Sequence, residues 1–70
     1  MSASAEHLVY MANQIARNLE AQGEAVAIAQ TAGHIRDFWD PRMKEALFAA
    51  DESELSPIAR AALRQLSAAR

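Results

Sequence analysis

The sequence predicts an all-α fold, a small compact array of three to four short helices. Three observations support this prediction. Apolar residues recur at steps of three and four along nearly the whole chain, the spacing that gives a helix one apolar face. β-branched residues are few and never alternate with polar ones, so no strand is indicated. The pairs Asp40-Pro41 and Ser56-Pro57 each place a helix-capping residue before a proline, where a helix can begin.

The first helix is predicted over residues 5–22. Ser4 is a suitable N-cap, and Gly23 stands where a left-handed residue would end the helix. The apolar face consists of residues spaced by three and four, widened by Ala12 and Ala16: Leu8, Met11, Ile15 and Leu19.

The second helix is predicted over residues 24–39 and the third over residues 41–50. Proline disfavours the α conformation of the residue before it, so Asp40-Pro41 must end the second helix. The same pair can start the third helix, with Asp40 as cap and Pro41 in the first turn. The face of the second helix is expected to hold Ala25, Ile28, Ala29, Ala32 and Ile35. The residues of the third helix that are expected to face the core are Met43, Ala46, Leu47 and Ala50.

The fourth helix is predicted over residues 57–68. Ser56 caps it and Pro57 occupies its first position, after a solvated connection over residues 51–54. Its apolar face is expected to contain Ile58, Ala59, Ala62, Leu63 and Leu66. The whole chain, residues 1–70, is expected to form a single helical domain.

The predicted core contains few large apolar side chains. Of 36 apolar residues 17 are alanine, which leaves 19 larger side chains to build an interior. The chain has no cysteine, so disulfides and thiolate metal ligands are excluded. A single core in a chain of this size rarely supplies more than ~3–5 kcal/mol. We therefore expect a stable partner, identical or different.

Charge and hydropathy exclude several classes of partner. The net charge of −2 provides no overall attraction to nucleic acid or anionic lipid, and no apolar run approaches the length of a membrane span. We therefore predict no nucleic-acid and no membrane partner, and a cytoplasmic protein. The tight junction between the second and third helices keeps a small DNA-binding regulator as a lesser alternative, although this junction is acidic.

No catalytic, cofactor-binding or metal-binding residue is predicted. His7 follows Ser4 near a terminus, and Thr31 precedes His34 by three residues, which is ordinary helical spacing. His34 and Asp37 could share a helical face, but zinc sites usually need further ligands. His34 is therefore interpreted as a surface or interface histidine.

The segment HIRDFWDPRM, residues 34–43, concentrates aromatic and charged side chains. Its adjacent aromatics either both fold into the core or point apart, because neighbouring helical positions differ by about 100°. We expect Phe38 inside and Trp39 at an interface, since tryptophan and arginine are enriched at binding hot spots. The predicted docking residues are His34, Arg36, Trp39, Asp40, Arg42 and Met43.

A second docking candidate is the polar face of the first helix, where plain solvent exposure is the default interpretation. Its residues are Asn13, Gln14 and Arg17. Structural roles are predicted for Phe38, Pro41, Ser56 and Pro57.

Three segments together resemble a known family. MANQIA (residues 11–16), HIRDFWDPRM (34–43) and LSPIAR (55–60) are similar to the δ subunit of NAD-dependent, molybdenum- or tungsten-containing formate dehydrogenase. The middle segment is the most specific, and the resemblance runs from about residue 7 to residue 66. The chain departs from the family at Asn18-Leu19, where aromatic residues are more usual.

The resemblance implies a non-catalytic accessory subunit that binds the larger catalytic subunits of a cytoplasmic formate dehydrogenase and stabilises or helps assemble the complex. The implied complex carries a molybdenum or tungsten cofactor, iron–sulfur clusters, FMN and NAD, and no cofactor is expected in this cysteine-free chain. A transient maturation factor or regulator that aids molybdenum-cofactor insertion stays open as the alternative.

Overall fold

Four α-helices joined by short connections make up residues 4–69, the part of the chain that this computed structural model describes. No strand occurs in this part, and the all-α class is confirmed. Residues 1–3 and Arg70 of the predicted domain lie outside the described range. The helices are α1 (Ala5–Leu19), α2 (Glu24–Phe38), α3 (Pro41–Ala49) and α4 (Pro57–Ala68), with 3-10 turns at Glu20–Gln22 and Glu52–Glu54.

Side-chain caps start three of the four helices. In each case an oxygen of the residue before the helix accepts a bond from a backbone N–H in the first turn, which otherwise has no partner inside the helix. Pro41 and Pro57 open α3 and α4, where a missing N–H costs nothing. The three bonds are His7 N–H to Ser4 Oγ (3.1 Å), Met43 N–H to Asp40 Oδ1 (2.9 Å) and Ala59 N–H to Ser56 Oγ (3.3 Å).

The first predicted helix is divided in the structure. The α-helix ends at Leu19, and residues 20–22 form a 3-10 turn whose last bond runs from the Gly23 N–H to the Glu20 carbonyl (3.1 Å). Gly23 has φ +103° and ψ 149°, so its φ is positive as predicted but its backbone is not left-handed helical. Glycine adopts this conformation readily because it has no Cβ. The reversal from α1 into α2 therefore depends on Gly23.

The core is formed by a few large side chains and several alanines. Leu8, Ile35 and Leu47, from α1, α2 and α3, are each only 1% exposed. α2 and α4 pack against each other, and each buries an alanine, Ala27 and Ala62, as well as a larger residue, Ile35 and Leu63. An alanine removes little apolar area from water when it is buried.

The buried face of α2 is rotated from the predicted one. Ala25 and Ala29 are exposed, whereas Ala27 and Thr31 are buried beside Ile35. Positions 27, 31 and 35 follow one another at steps of four, as do the predicted positions 25 and 29, so the spacing alone does not decide which row is buried. The cost of this rotation is the burial of the Thr31 hydroxyl, which has no hydrogen-bond partner among the described residues.

The predicted orientations of Phe38 and Trp39 are wrong. Phe38 is 77% exposed and Trp39 is 5% exposed, within the core cluster. Trp39 lies four residues after Ile35 and has an extended backbone (φ −87°, ψ 139°) just past the last turn of α2. Phe38 lies three residues after Ile35. A period of 3.6 permits either position, and burial of the larger indole ring removes more apolar surface from water.

Candidate partner-binding surface at the α2–α3 corner

Residues 34–43, the α2–α3 corner, form a well-held turn. The Asp40 cap fixes the start of α3, and the Trp39 N–H still donates to the Ile35 carbonyl at 3.1 Å. The Lys44 ammonium donates to the Arg36 carbonyl at 2.8 Å. This bond places a cation at the C-terminus of α2, where carbonyl groups lack helical partners and the helix dipole is negative. The side chains of the corner are therefore presented on a defined backbone.

The corner exposes four of the six predicted docking residues. Met43 is half-buried and packs against the core cluster, and Trp39 is part of that cluster. The indole ring therefore has almost no surface left to offer a partner in this fold. The exposed residues of the set are His34, Arg36, Asp40 and Arg42.

Phe38 is the exposed aromatic residue of the corner. Its ring lies beside that of His34, with ring centroids 5.0 Å apart and planes tilted by 39°. The two residues are four apart in α2, the spacing at which helical side chains meet. The sequence shows this spacing. The contact between the two rings was not predicted, because Phe38 was expected to lie in the core.

The carboxylates of the corner are already engaged within the chain. Arg36 donates to both oxygens of Asp37, from Nε at 2.9 Å and from Nη2 at 3.2 Å. This hydrogen bond lowers the pKa of Asp37 and raises the pKa of Arg36. Asp40 accepts the cap bond from the Met43 N–H. Arg42, by contrast, forms no ion pair with any described residue. The two arginines and two aspartates of residues 34–43 leave the corner without net charge when His34 is neutral.

The second predicted docking surface is partly structural. The Asn13 amide donates from Nδ2 to the Glu54 carbonyl (3.0 Å) and accepts at Oδ1 from the Ser56 N–H (2.8 Å). It therefore ties α1 to the start of α4. Gln14 donates to the Tyr10 hydroxyl at 3.3 Å. Arg17 is exposed and, within residues 4–69, makes no ion pair.

These three residues line a groove of about 740 Å³ between α1 and the segment that precedes α4. The groove also receives the side chains of Glu20, Glu24 and Glu54, and its apolar lining includes Leu55 and Ile58. Two of its walls are thus joined by the Asn13 amide, which gives that residue a structural role that the sequence prediction missed.

The connection between α3 and α4 is held more firmly than a solvated loop. Leu55 is 3% exposed and belongs to the core cluster. Arg60 donates to the carbonyls of Glu52 (3.2 Å) and Leu55 (3.1 Å), and Arg64 pairs with the Glu52 carboxylate at 3.3 Å. The acidic side chains of this connection are exposed, as predicted, while its backbone is fixed from α1 and α4.

Among residues 4–69, no three His, Asp or Glu side chains are placed to hold a metal ion together. The Ser4 hydroxyl beside His7 is the acceptor of the α1 cap bond.

None of the helices within residues 4–69 is both long enough and apolar enough to span a membrane.

The chain matches one protein-family model, described as the NADH-dependent formate dehydrogenase delta subunit (FdsD), over residues 7–63. The matched range begins in the first turn of α1, includes the entire α2–α3 corner and ends within α4. No curated protein and no solved structure shows a significant match to the chain.

Proposed function

Since this chain belongs to the family of NADH-dependent formate dehydrogenase delta subunits, we propose that it is a non-catalytic accessory subunit of such an enzyme in the cytoplasm. It binds the larger subunits and stabilises or helps assemble the complex. The observation that carries the proposal is the family match over residues 7–63, which leaves out only the two ends of a 70-residue chain.

In this proposal the chemistry belongs to the other subunits. We place the molybdenum or tungsten cofactor, the iron–sulfur clusters, FMN and NAD in those subunits. The chain itself contains no cysteine, and cysteine thiolates are the usual ligands of iron–sulfur clusters. The chain's own contribution is to bind the larger subunits and to stabilise or help assemble the complex.

The α2–α3 corner is the surface that we assign to docking. Its exposed residues His34, Arg36, Asp40 and Arg42 stand on a backbone held by the Asp40 cap and the Lys44 bond. A surface that is already ordered loses little conformational entropy when it binds, which favours affinity. Trp39 supports this surface from inside the core and does not touch the partner.

The test is purification of the native enzyme through a tag on one of its larger subunits. We expect the chain to elute with the active complex at a fixed stoichiometry and to stay bound through gel filtration. An R42A/H34A double variant should be recovered in reduced amount, while its far-UV circular dichroism matches that of the unmodified chain.

Two other results of this purification would lead to a different conclusion about the function. Recovery of the chain only with enzyme that lacks its molybdenum cofactor would support a transient maturation factor that aids cofactor insertion. Failure to recover the chain with any form of the enzyme would contradict the accessory-subunit proposal.

A further inference from the structure

We propose that the groove between α1 and the segment before α4 is a second docking site, which receives a basic segment of a larger subunit. An arginine or lysine of that segment lies with its aliphatic stem on the apolar lining and its charged head among the glutamates. This inference rests on the proposed function, which supplies the partner, and it adds a contact beyond the α2–α3 corner.

The first support is that the groove is already formed in the isolated chain. Its volume of about 740 Å³ falls within the range of about 300–1,000 Å³ that is usual for binding sites. The Asn13 amide joins its two walls, through the 3.0 Å bond to the Glu54 carbonyl and the 2.8 Å bond from the Ser56 N–H. A site whose walls are fixed in this way loses little conformational entropy when a partner binds.

The second support is the lining, which combines apolar surface with carboxylates. Pro57 is exposed and Ile58 is half-buried, so both present apolar surface to the groove. The carboxylates are exposed and form no ion pair with a described residue; they belong to Glu20, Glu24 and Glu54. A long basic side chain has an aliphatic stem and a charged head, and this lining complements both parts.

The third support is the charge balance at this end of the molecule. The groove is lined by three glutamates and one basic residue, Arg17, which gives the lining a charge of −2. Arg60 and Arg64 of α4 contact the adjacent connection, where Asp51 and Glu52 equal them in number. The N-termini of α2 and α4 and the C-terminus of α1 also meet at the groove. Each helix end carries only about half a charge, and the ends have opposite signs, so the groove stays negative.

The same balance argues against a second copy of the chain as the occupant. With both histidines neutral, the residues outside this end carry four basic and four acidic side chains, so the chain's net charge of −2 comes from the groove end alone. These residues are Arg36, Arg42, Lys44 and Arg70, against Glu6, Asp37, Asp40 and Glu45. A second copy therefore offers either a surface without surplus positive charge or another acidic groove. A basic segment of a different chain is the occupant that the charges favour.

The experiment measures the Kd of the purified full chain for formate dehydrogenase isolated from cells that lack the chain. At low ionic strength E20Q/E54Q should weaken binding about tenfold, and the difference should shrink at high ionic strength because salt screens the lost attraction. The melting temperature of this variant should match that of the unmodified chain, since neither carboxylate forms an ion pair with a described residue.

The matched control is a single substitution of the same kind outside the groove. E54Q alone should weaken binding about threefold, half of the tenfold effect on a logarithmic scale. E6Q makes the same change at an exposed glutamate in the first turn of α1, which does not line the groove, and should leave the Kd unchanged.

Arg17 tests the sign of the charge that the groove receives. R17Q removes the one basic residue of the lining, so it should bind at least as tightly as the unmodified chain. A loss of affinity in R17Q as large as that in E20Q/E54Q would overturn the proposal, because the occupant would then not be basic.

Three further results would also overturn it. They are unchanged binding of E20Q/E54Q, equal losses in E54Q and E6Q, and a dimer of the chain alone that E20Q/E54Q dissociates, since a second copy would then fill the groove. If the unmodified chain does not bind the enzyme at all, the proposed function fails as well. Wild-type-like binding of E20Q/E54Q, by contrast, leaves the proposed function intact and removes only the groove as a docking site.

Discussion

At the scale of single residues, the neighbours Phe38 and Trp39 have opposite environments. Trp39 belongs to the core cluster, whose other large members include Leu8, Ile35, Leu47, Leu55 and Leu63. Phe38 is exposed and contacts His34. In a core with few large side chains, one indole is a large share of the buried apolar surface.

We predict that W39A and F38A differ strongly in their effect on stability. Truncation of a buried large aromatic residue costs about 3–5 kcal/mol, which equals the whole stability expected from a core of this size, so W39A should be largely unfolded at 25 °C. F38A should change the free energy of unfolding by less than about 0.5 kcal/mol. Urea unfolding followed by far-UV circular dichroism measures both, and equal losses would mean that the two rings share one environment.

At the scale of secondary-structure elements, the helices are joined by specific polar contacts as well as by apolar packing. Asn13 of α1 uses both ends of its amide on the backbone of the segment before α4, at Glu54 and Ser56. Arg60 of α4 donates to two carbonyls of the same segment. These bonds give partners to the Glu54 and Leu55 carbonyls and the Ser56 N–H, which lie outside the α-helices, and they set the entry of α4.

We predict that N13A destabilises the protein by about 1–3 kcal/mol, because it leaves the half-buried Ser56 N–H without its acceptor. N13D keeps an acceptor for that N–H but cannot donate to the Glu54 carbonyl, so its loss should be smaller. Hydrogen exchange of the amides in residues 51–56 should accelerate in N13A. The control is Q14A, which removes an exposed side chain whose described hydrogen bond is to the exposed Tyr10 hydroxyl, so the change should be nearly neutral. An N13A variant as stable as Q14A would show that packing alone holds α4 in place.

At the scale of the whole molecule, stability depends mainly on a small number of apolar contacts, because the exposed charges contribute little. The two described ion pairs, Arg36–Asp37 and Arg64–Glu52, are both largely solvent-exposed. Exposed pairs of this kind contribute little to stability, because water and salt screen their attraction. A protein built in this way is expected to gain measurably from a partner that binds only its folded state.

We predict a modest loss of stability in acid. The pKa of Asp37 is lowered by its hydrogen bond from Arg36, and the pKa of Asp51 is lowered by the bond from the Ser53 N–H. A lowered pKa means that the folded state binds fewer protons than the unfolded state. Its contribution is therefore complete above the usual aspartate pKa of about 3.9 and is lost as the pH falls through the lower folded value.

The measurement compares urea midpoints at pH 7 and pH 3 for the unmodified chain and for D37N/D51N. The double variant should lose less stability between the two pH values, since asparagine does not titrate. An equal loss would assign the acid sensitivity to other carboxylates.

Much of the fold could be predicted because its signals are local. Asp40-Pro41 and Ser56-Pro57 start helices through backbone chemistry that involves only four or five residues, and Gly23 marks the turn between α1 and α2 in the same way. Family membership could also be inferred, because HIRDFWDPRM is a distinctive linear motif. The docking role of the corner stays a prediction, now with Phe38 in place of Trp39 as the exposed aromatic residue.

The sequence by itself determined the helical class, the starts of three helices and the family, because propensity, capping and motif act over short distances. Only the tertiary structure decided which face of α2 is buried, which aromatic ring of the corner enters the core, and that Asn13 bonds to the segment before α4. Those outcomes depend on residues up to 43 positions apart and on how three helices share a small volume. A helical period of 3.6 residues permits more than one answer, and packing selects between them.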